Sequence, residues 1–388
     1  MGKHALLSAS KSSQWLACTP SARYGLQFPS TTSTHAEEGT AAHELSELAA
    51  SYQLGKISKT TYDHRLKDLK KGKYYTAEMM EHALDYSQYI EEIVETARET
   101  CSDTVVELEA KNLDFSEWAP EGFGTGDCII VSDDLLEIID FKYGRGVRVD
   151  AYNNPQMRLY ALGALQRYGA LYDIKRVRMT IIQPRINREP STEELTIEEL
   201  MTWAEEYVKP RAALAFAGEG DFCPDDNTCK FCPAEAYCKA RADKNLALFD
   251  DAPDLQSLTI EEVGAILEKA SDIRAWLKNL EDRVTKTLFE GIPVEGWKLV
   301  EGRSNRKFVD EDKVAEAMLS AGYQDALIYE RSLITLAAME KAFGKKAVGE
   351  ILKDLIYKPP GKPALVPASD KREEFKPEAL ILDAFEEE

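Results

Sequence analysis

The sequence predicts an α/β fold, a mixed sheet flanked by helices, followed by a mainly helical C-terminal extension. Three observations carry this. Between residues 104 and 183 the pattern runs strand, hairpin, helix, strand; amphipathic helices precede it; and beyond residue 250 the apolar spacing turns helical again. The chain has 388 residues, 44% of them hydrophobic, enough for a sizeable core and two or three domains. The expected division is a first domain over 1–245, a mainly helical domain over 246–358 and a Pro- and charge-rich tail over 359–388.

The elements follow in order. Residues 8–27 read as a Ser-capped helix, with Trp15, Leu16 and Tyr24 near one side. In 36–54, Ala42, Leu45, Leu48 and Ala49 form an apolar stripe, and in 75–100 Met79, Ala83, Tyr86, Tyr89 and Ile93 recur at helical spacing. The intervening stretch 62–73 is locally basic, so Lys67, Lys70, Lys71 and Lys73 are candidate phosphate contacts or simply a solvated face. Strands are expected at 104–111, 125–131, 135–142 and 176–183, with a helix at 153–168. From 191 to about Ala217 the chain reads as helix, with a capping box of Thr196 and Glu199. A near-heptad helix covers 258–289, a short strand pair falls within 296–308, and the tail reads as extended or disordered in part.

The hairpin carries charge where a sheet wants apolar residues. With Asp133-Asp134 as a two-residue turn, Val131 opposes Leu136, Ile129 opposes Ile138 and Asp127 opposes Asp140, with Lys142 on the same face. Like charges directly opposite each other destabilise a sheet, unless something neutralises them. Mg²⁺ or Mn²⁺ does so, since both prefer hard carboxylate oxygens. Lys142 then has a chemical use: orienting or deprotonating a water, or stabilising charge on a phosphate oxygen. By itself the pattern reads equally as a solvated hairpin end.

The neighbouring residues resemble the PD-(D/E)XK nucleases of the RecB/AddB branch. The G-x-x-D pattern stands as Gly124-Thr125-Gly126-Asp127, and D-x-K as Asp140-Phe141-Lys142. Upstream, Gly39 to His43 resembles the branch's G-x-x-x-H helix; downstream, Gln156 to Tyr160 is similar to its Q-x-x-x-Y helix. The resemblance implies an αβββαβ core and a metal-dependent deoxyribonuclease, most simply an exonuclease acting at DNA ends. It implies His43, Asp127, Asp140 and the Phe141 carbonyl as metal ligands, with Lys142, Gln156 and Tyr160 completing the site. Glu107 or Glu109, on the preceding strand, is a candidate further acid. A non-catalytic DNA-binding or assembly factor on a degenerate version of this fold is the competing function.

Four of the seven cysteines, Cys223, Cys229, Cys232 and Cys238, crowd one segment, which reads as metal or iron–sulfur ligation. Cys101 and Cys128 read as helix-end and sheet-core residues. With the lone upstream Cys18, the C-x2-C-x5-C run resembles the iron–sulfur staple of AddB-type and CRISPR-associated nucleases. That implies a 4Fe–4S cluster on Cys18, Cys229, Cys232 and Cys238. A local zinc site on Cys223, Cys229, Cys232 and Cys238 stays open as the alternative.

The net charge of -20 argues against a general polyanion-coating protein, so a nucleic-acid function has to come from a local site. No stretch approaches the ~20 consecutive apolar residues of a membrane span, and the N-terminal apolar run is too short for a secretory signal, so a cytoplasmic protein is expected. The resemblance extends to phage-encoded nucleases that travel with a single-strand-binding or annealing protein, the partner it implies besides DNA.

Overall fold

The structure, a computed structural model, describes residues 5–29, 34–145, 148–187, 189–250, 260–302, 306–324, 328, 335–353, 355–357, 364–367 and 373–374. Most of the tail and of the 250–257 stretch lies outside them. The chain divides into two compact units, 1–268 and 269–388. Among the described residues no helix is long and apolar enough to cross a membrane.

The first unit opens with two short helices, α1 (Ser12–Ala17) and α2 (Ser21–Tyr24), where the sequence suggested one. Pro20 lacks the N–H that a continuous helix would use, and Cys18, at φ -119° and ψ 85°, has already left the helical conformation. Ser8 makes no side-chain cap. Next come α3 (Thr34–Gln53), α4 (Lys59–Leu69) and α5 (Ala77–Thr100), the last capped by Thr76, whose hydroxyl accepts the Met79 N–H. Strands β1 (Val105–Asp114), β2 (Phe123–Ser132) and β3 (Leu135–Phe141) follow. Helix α6 (Pro155–Tyr168) then leads to β4 (Arg176–Ile182) and β5 (Ser191–Thr196).

The five strands form one mixed sheet in sequence order, with β3 and β4 parallel and the other neighbours antiparallel. The β2–β3 register is the expected one: Val131 faces Leu136, Ile129 faces Ile138, and Asp133 takes the positive φ of 51° that a tight hairpin turn needs. Both faces of this hairpin are covered, hence its near-continuous apolar runs. Ile129, Val131, Leu136 and Ile138 pack in the α6 layer; Cys128, Ile130, Ile139 and Phe141 pack with Ala42 and Leu45 of α3 and Met79, Tyr86 and Ile90 of α5.

Strand β5 is a correction, since 191–196 was expected to begin a helix. Its alternating Ser-Thr-Glu-Glu-Leu-Thr pairs along β4, and the Thr196/Glu199 capping box starts α7 (Ile197–Trp203) only afterwards. A π-turn over Ala204–Val208 leads into α8 (Lys209–Ala217), which ends at Gly218 in the left-handed conformation. Glu193 on β5 holds α6. It accepts two bonds from the Arg158 guanidinium, at 3.0 and 2.7 Å, and one from the Asn153 N–H, all largely buried. Arg158→Ala leaves Glu193 buried without its partner, so urea unfolding is expected to show a loss of about 3–5 kcal/mol.

Beyond these lie α9 (Asp226–Cys229), α10 (Lys239–Asp250) and α11 (Ile260–Phe289), the last containing the boundary between the units. The second unit is not purely helical. Trp297–Val300 pairs with Ala364–Pro367, and Lys307–Phe308 pairs with Ile356–Tyr357. The expected local strand pair within 296–308 is therefore replaced by two longer-range ribbons. Val314, Met318, Ile328, Met339, Val348 and Leu352 make this unit's core.

Candidate functional site

The site lies where β2 and β3 approach α3 and α6. Asp127 on β2 is fixed by a 2.7 Å bond that its Oδ2 accepts from the Phe141 N–H, which locks the two strand ends together. The same oxygen is 3.2 Å from His43 Nδ1 on α3. On the other side, Asp140 Oδ2 lies 3.0 Å from the Lys142 ammonium, and Asp140 Oδ1 accepts a long 3.4 Å bond from Gln156 Nε2 on α6. Gln156 Oε1 accepts from Lys142 Nζ at 3.1 Å, and its amide group donates to the Tyr160 hydroxyl at 3.1 Å. All six side chains named in the sequence thus meet at one place. Their side chains diverge, however: Asp127 turns to His43 on α3, Asp140 to Lys142 and Gln156 on α6.

Local sequence explains the placement. Asn154 caps α6 by accepting the Gln156 and Met157 N–H groups, with Pro155 in the first turn, so the helix begins beside Asp140. Gly124, the first residue of the G-x-x-D pattern, makes room for Tyr160. A Cβ there would come within 2.6 Å of the ring's Cε1. Gly124→Ala is expected to push the ring off the strand and cost about 1–3 kcal/mol in thermal or urea unfolding. Gly39 has no such role, since a Cβ there meets nothing within 4 Å.

Burial favours the neutral forms here, and the neighbours decide the outcome. Asp140 is pushed above the usual carboxylate range by burial, only partly opposed by Lys142. Burial also raises Asp127, yet the charge and hydrogen bond of His43 outweigh it, and the net direction is down. His43 and Lys142 both end above their ordinary values, because the carboxylates overcome the penalty of burial. Lys142 therefore stays an ammonium.

Sequence reasoning left Glu107 and Glu109 unresolved, and the structure separates them. Glu107 is bound to Arg167 at 2.7 Å and Tyr168 at 2.6 Å on α6, away from the aspartates. Regular alternation would put Glu109 beside it. Instead Glu109 adopts φ 49°, a left-handed conformation costly for a non-glycine residue, which sends its side chain to the α3 side. There His43, Glu109 and Asp127 offer ligand atoms within 4.8 Å of one another, a group that could hold a metal ion. The pocket they share is also lined by Ser46, Glu47, Tyr86, Leu108 and Phe141. Donor chemistry fits a hard divalent cation. So does Asp140 Oδ2, a buried oxygen that accepts no well-directed hydrogen bond despite its ion pair.

The basic stretch behaves as an ordinary surface in part: Lys71 pairs with Asp68, and Lys73 donates to the Tyr74 hydroxyl. The cysteines are better organised. Cys18, Cys229, Cys232 and Cys238 line one cavity together with Tyr24, Phe222 and Pro224. Cys223 is exposed and does not line it, but its N–H points at Cys18 Sγ from 3.4 Å. Burial pushes the Cys18 and Cys229 thiols up and the Cys232 thiol to about 11. Cys101 closes the end of α5 and Cys128 is buried in β2.

A protein family described as "Protein of unknown function (DUF2800)" matches residues 4–373. The chain belongs to this family. Among solved structures, the chain is similar to one described as a "Putative exonuclease" from Eubacterium rectale, at 12% identity and a TM-score of 0.31, over 66% of this chain and 92% of that one. A second, SSO0001, is similar at 14% identity and a TM-score of 0.20, over 51% of this chain and 85% of that one. Both likenesses are too loose to define a shared fold, and the family's description assigns no chemistry. Function has to be read from the side chains.

Proposed function

We propose that this protein is a Mg²⁺- or Mn²⁺-dependent deoxyribonuclease of the RecB/AddB kind, acting as an exonuclease at DNA ends in recombination or replication. The observation that carries this is the line Asp127–Asp140–Lys142–Gln156–Tyr160 at one end of the sheet, with His43 beside it and a buried Asp140 oxygen lacking a hydrogen bond. His43, Asp127, Asp140 and the Phe141 carbonyl would hold the cation, which supplies Lewis acidity toward a phosphate oxygen.

The chain's own groups do the rest. Lys142, held as an ammonium by Asp140 and steered by Gln156, meets negative charge building on the phosphorane oxygens. Gln156 is itself oriented by Tyr160, so the lysine has little freedom to swing away. His43 Nδ1, 3.2 Å from Asp127 Oδ2, places a neutral imidazole ligand beside the carboxylate. A degenerate, merely DNA-binding site gives no reason for this complete set of contacts.

The reading includes a 4Fe–4S cluster on Cys18, Cys229, Cys232 and Cys238, supported by the shared cavity and by the Cys223 N–H directed at Cys18 Sγ. Zinc on Cys223, Cys229, Cys232 and Cys238 is the alternative, but Cys223 does not line the shared cavity whereas Cys18 does.

End-labelled single- and double-stranded DNA, incubated with the protein and Mg²⁺ or Mn²⁺ and in parallel with EDTA, tests the activity. Cation-dependent release of label is expected. Intact DNA in every lane sinks the proposal.

A further inference from the structure

One exposed ring belongs to none of the contacts described so far. Tyr152, in the loop from β3 to α6, is 70% exposed. Single exposed apolar residues are ordinary on a protein surface. This one differs in how firmly its backbone is held. Ala151, before it, is fully buried and donates its N–H to Ser191 Oγ at 3.0 Å. Asp150 Oδ1 accepts both the Tyr152 N–H at 3.0 Å and the Ser191 hydroxyl at 2.6 Å. Asn153, after it, takes φ 53°, a left-handed conformation costly for a non-glycine residue. Its N–H donates to Glu193, and its side-chain oxygen accepts from Arg158 at 2.7 Å. The backbone from 150 to 153 is thus pinned to β5 and α6, while the ring at its tip is left mostly in solvent.

The sheet register says where this ring stands. Asp140 lies level with Ile181 on β4, and Ile181 with Ser191 on β5. With neighbouring strands about 4.8 Å apart, Ser191 is about 10 Å from Asp140, at the same end of the sheet. The turn seated on Ser191 therefore flanks the hydrolytic residues. The same loop carries Arg148, whose side chain is 66% exposed and reaches Asp150 only at 3.6 Å. Grooves that track a nucleic-acid strand combine an aromatic ring with a cation, because every base has a face to stack and every phosphate a charge to meet. We propose that Tyr152 is a nucleobase-stacking residue, on which a base near the scissile phosphate packs while Arg148 meets the backbone. Stacking of this kind is indifferent to sequence, and a ring already held in place binds without the cost of ordering its loop. The proposal rests on the hydrolytic reading of the Asp140 side, and its test separates the two.

Short single strands carrying 2-aminopurine at one position at a time are titrated with the full-length protein in Ca²⁺, with gels to check that they stay intact. In the wild type, fluorescence is expected to be quenched most at one position. Tyr152→Phe keeps the quench, whereas Tyr152→Ala loses it and binds about tenfold more weakly. An abasic nucleotide at that position costs the wild type the same factor and costs Tyr152→Ala nothing further. Arg148→Gln weakens normal and abasic strands equally, as the loss of a phosphate contact should. Leu171→Ala, exposed just past the far end of α6, binds as the wild type does. An unchanged quench in Tyr152→Ala overturns the proposal. So does an equal loss of affinity by that variant on normal and abasic strands. Hydrolysis of unmodified DNA in Mn²⁺ is read separately. A Tyr152-dependent quench without hydrolysis refutes the nuclease and leaves the stacking residue standing; hydrolysis without such a quench does the reverse. Wild type that neither binds nor cuts DNA overturns both.

Discussion

Replacing Asp140 or Lys142 by alanine is expected to abolish cation-dependent DNA hydrolysis while the protein stays folded. The two changes act differently. Asp140→Ala removes a ligand from the cation and leaves the Lys142 ammonium without its carboxylate. Lys142→Ala removes an ammonium in contact with both Asp140 and Gln156. Losing a preorganised charge stabiliser of this kind costs about 10²–10³ in rate. The measurement is single-turnover release of 5′- or 3′-label in saturating Mn²⁺, with circular dichroism as the check on folding. Activity near wild type in either variant would falsify the assignment. Lys142→Arg is informative too, because a planar guanidinium cannot reproduce the point-charge contact to Gln156.

Cys18→Ser is expected to have the largest effect on stability. In anaerobically purified wild type, the cluster should give a broad visible absorbance that disappears in this variant and persists in Cys223→Ser. The cross-link from Cys18 to Cys229 would close a loop of roughly 210 residues, and chain-entropy reasoning puts its removal at up to about 5 kcal/mol. A fall of several degrees in the unfolding midpoint should accompany the loss of colour. Colourless wild type containing zinc removes the cluster from the account. Loss of colour in Cys223→Ser with retention in Cys18→Ser moves the fourth ligand to the local segment.

The central sheet was legible in the sequence because each of its signals is local. The Asp133-Asp134 turn sets the β2–β3 register, and one residue's slip would have put charged side chains into a packed face. Gln156 and Tyr160 stood out only through the resemblance of Q-x-x-x-Y, since their spacing alone describes one turn of an amphipathic helix. What escaped was set by the backbone or by distant partners. Glu109 looks like the companion of Glu107 in any alternating pattern, and only its left-handed φ separates them. Strand β5 carries Glu and Thr at positions suited to a helix start, and becomes a strand because β4 offers an edge and Arg158 a partner for Glu193. The ribbons of the second unit join residues about 50 to 70 positions apart, beyond the reach of local pattern. Tyr86 gives no separate sequence signal, because it sits within the apolar stripe of α5.

The opening helices have a consequence for biosynthesis. Leu7 and Trp15 are buried in the core, Arg211 donates to the Ala17 carbonyl at 3.0 Å, and the Thr19 hydroxyl donates to the Glu219 carbonyl at 2.6 Å. The Ala17 carbonyl and the Thr19 hydroxyl therefore take partners made almost two hundred positions later. At typical synthesis rates of ~5–20 residues per second, that interval is about 10–40 s. Through it these two bonds stay unmade, although Leu7, Trp15 and Leu16 already find apolar partners among residues 110–164.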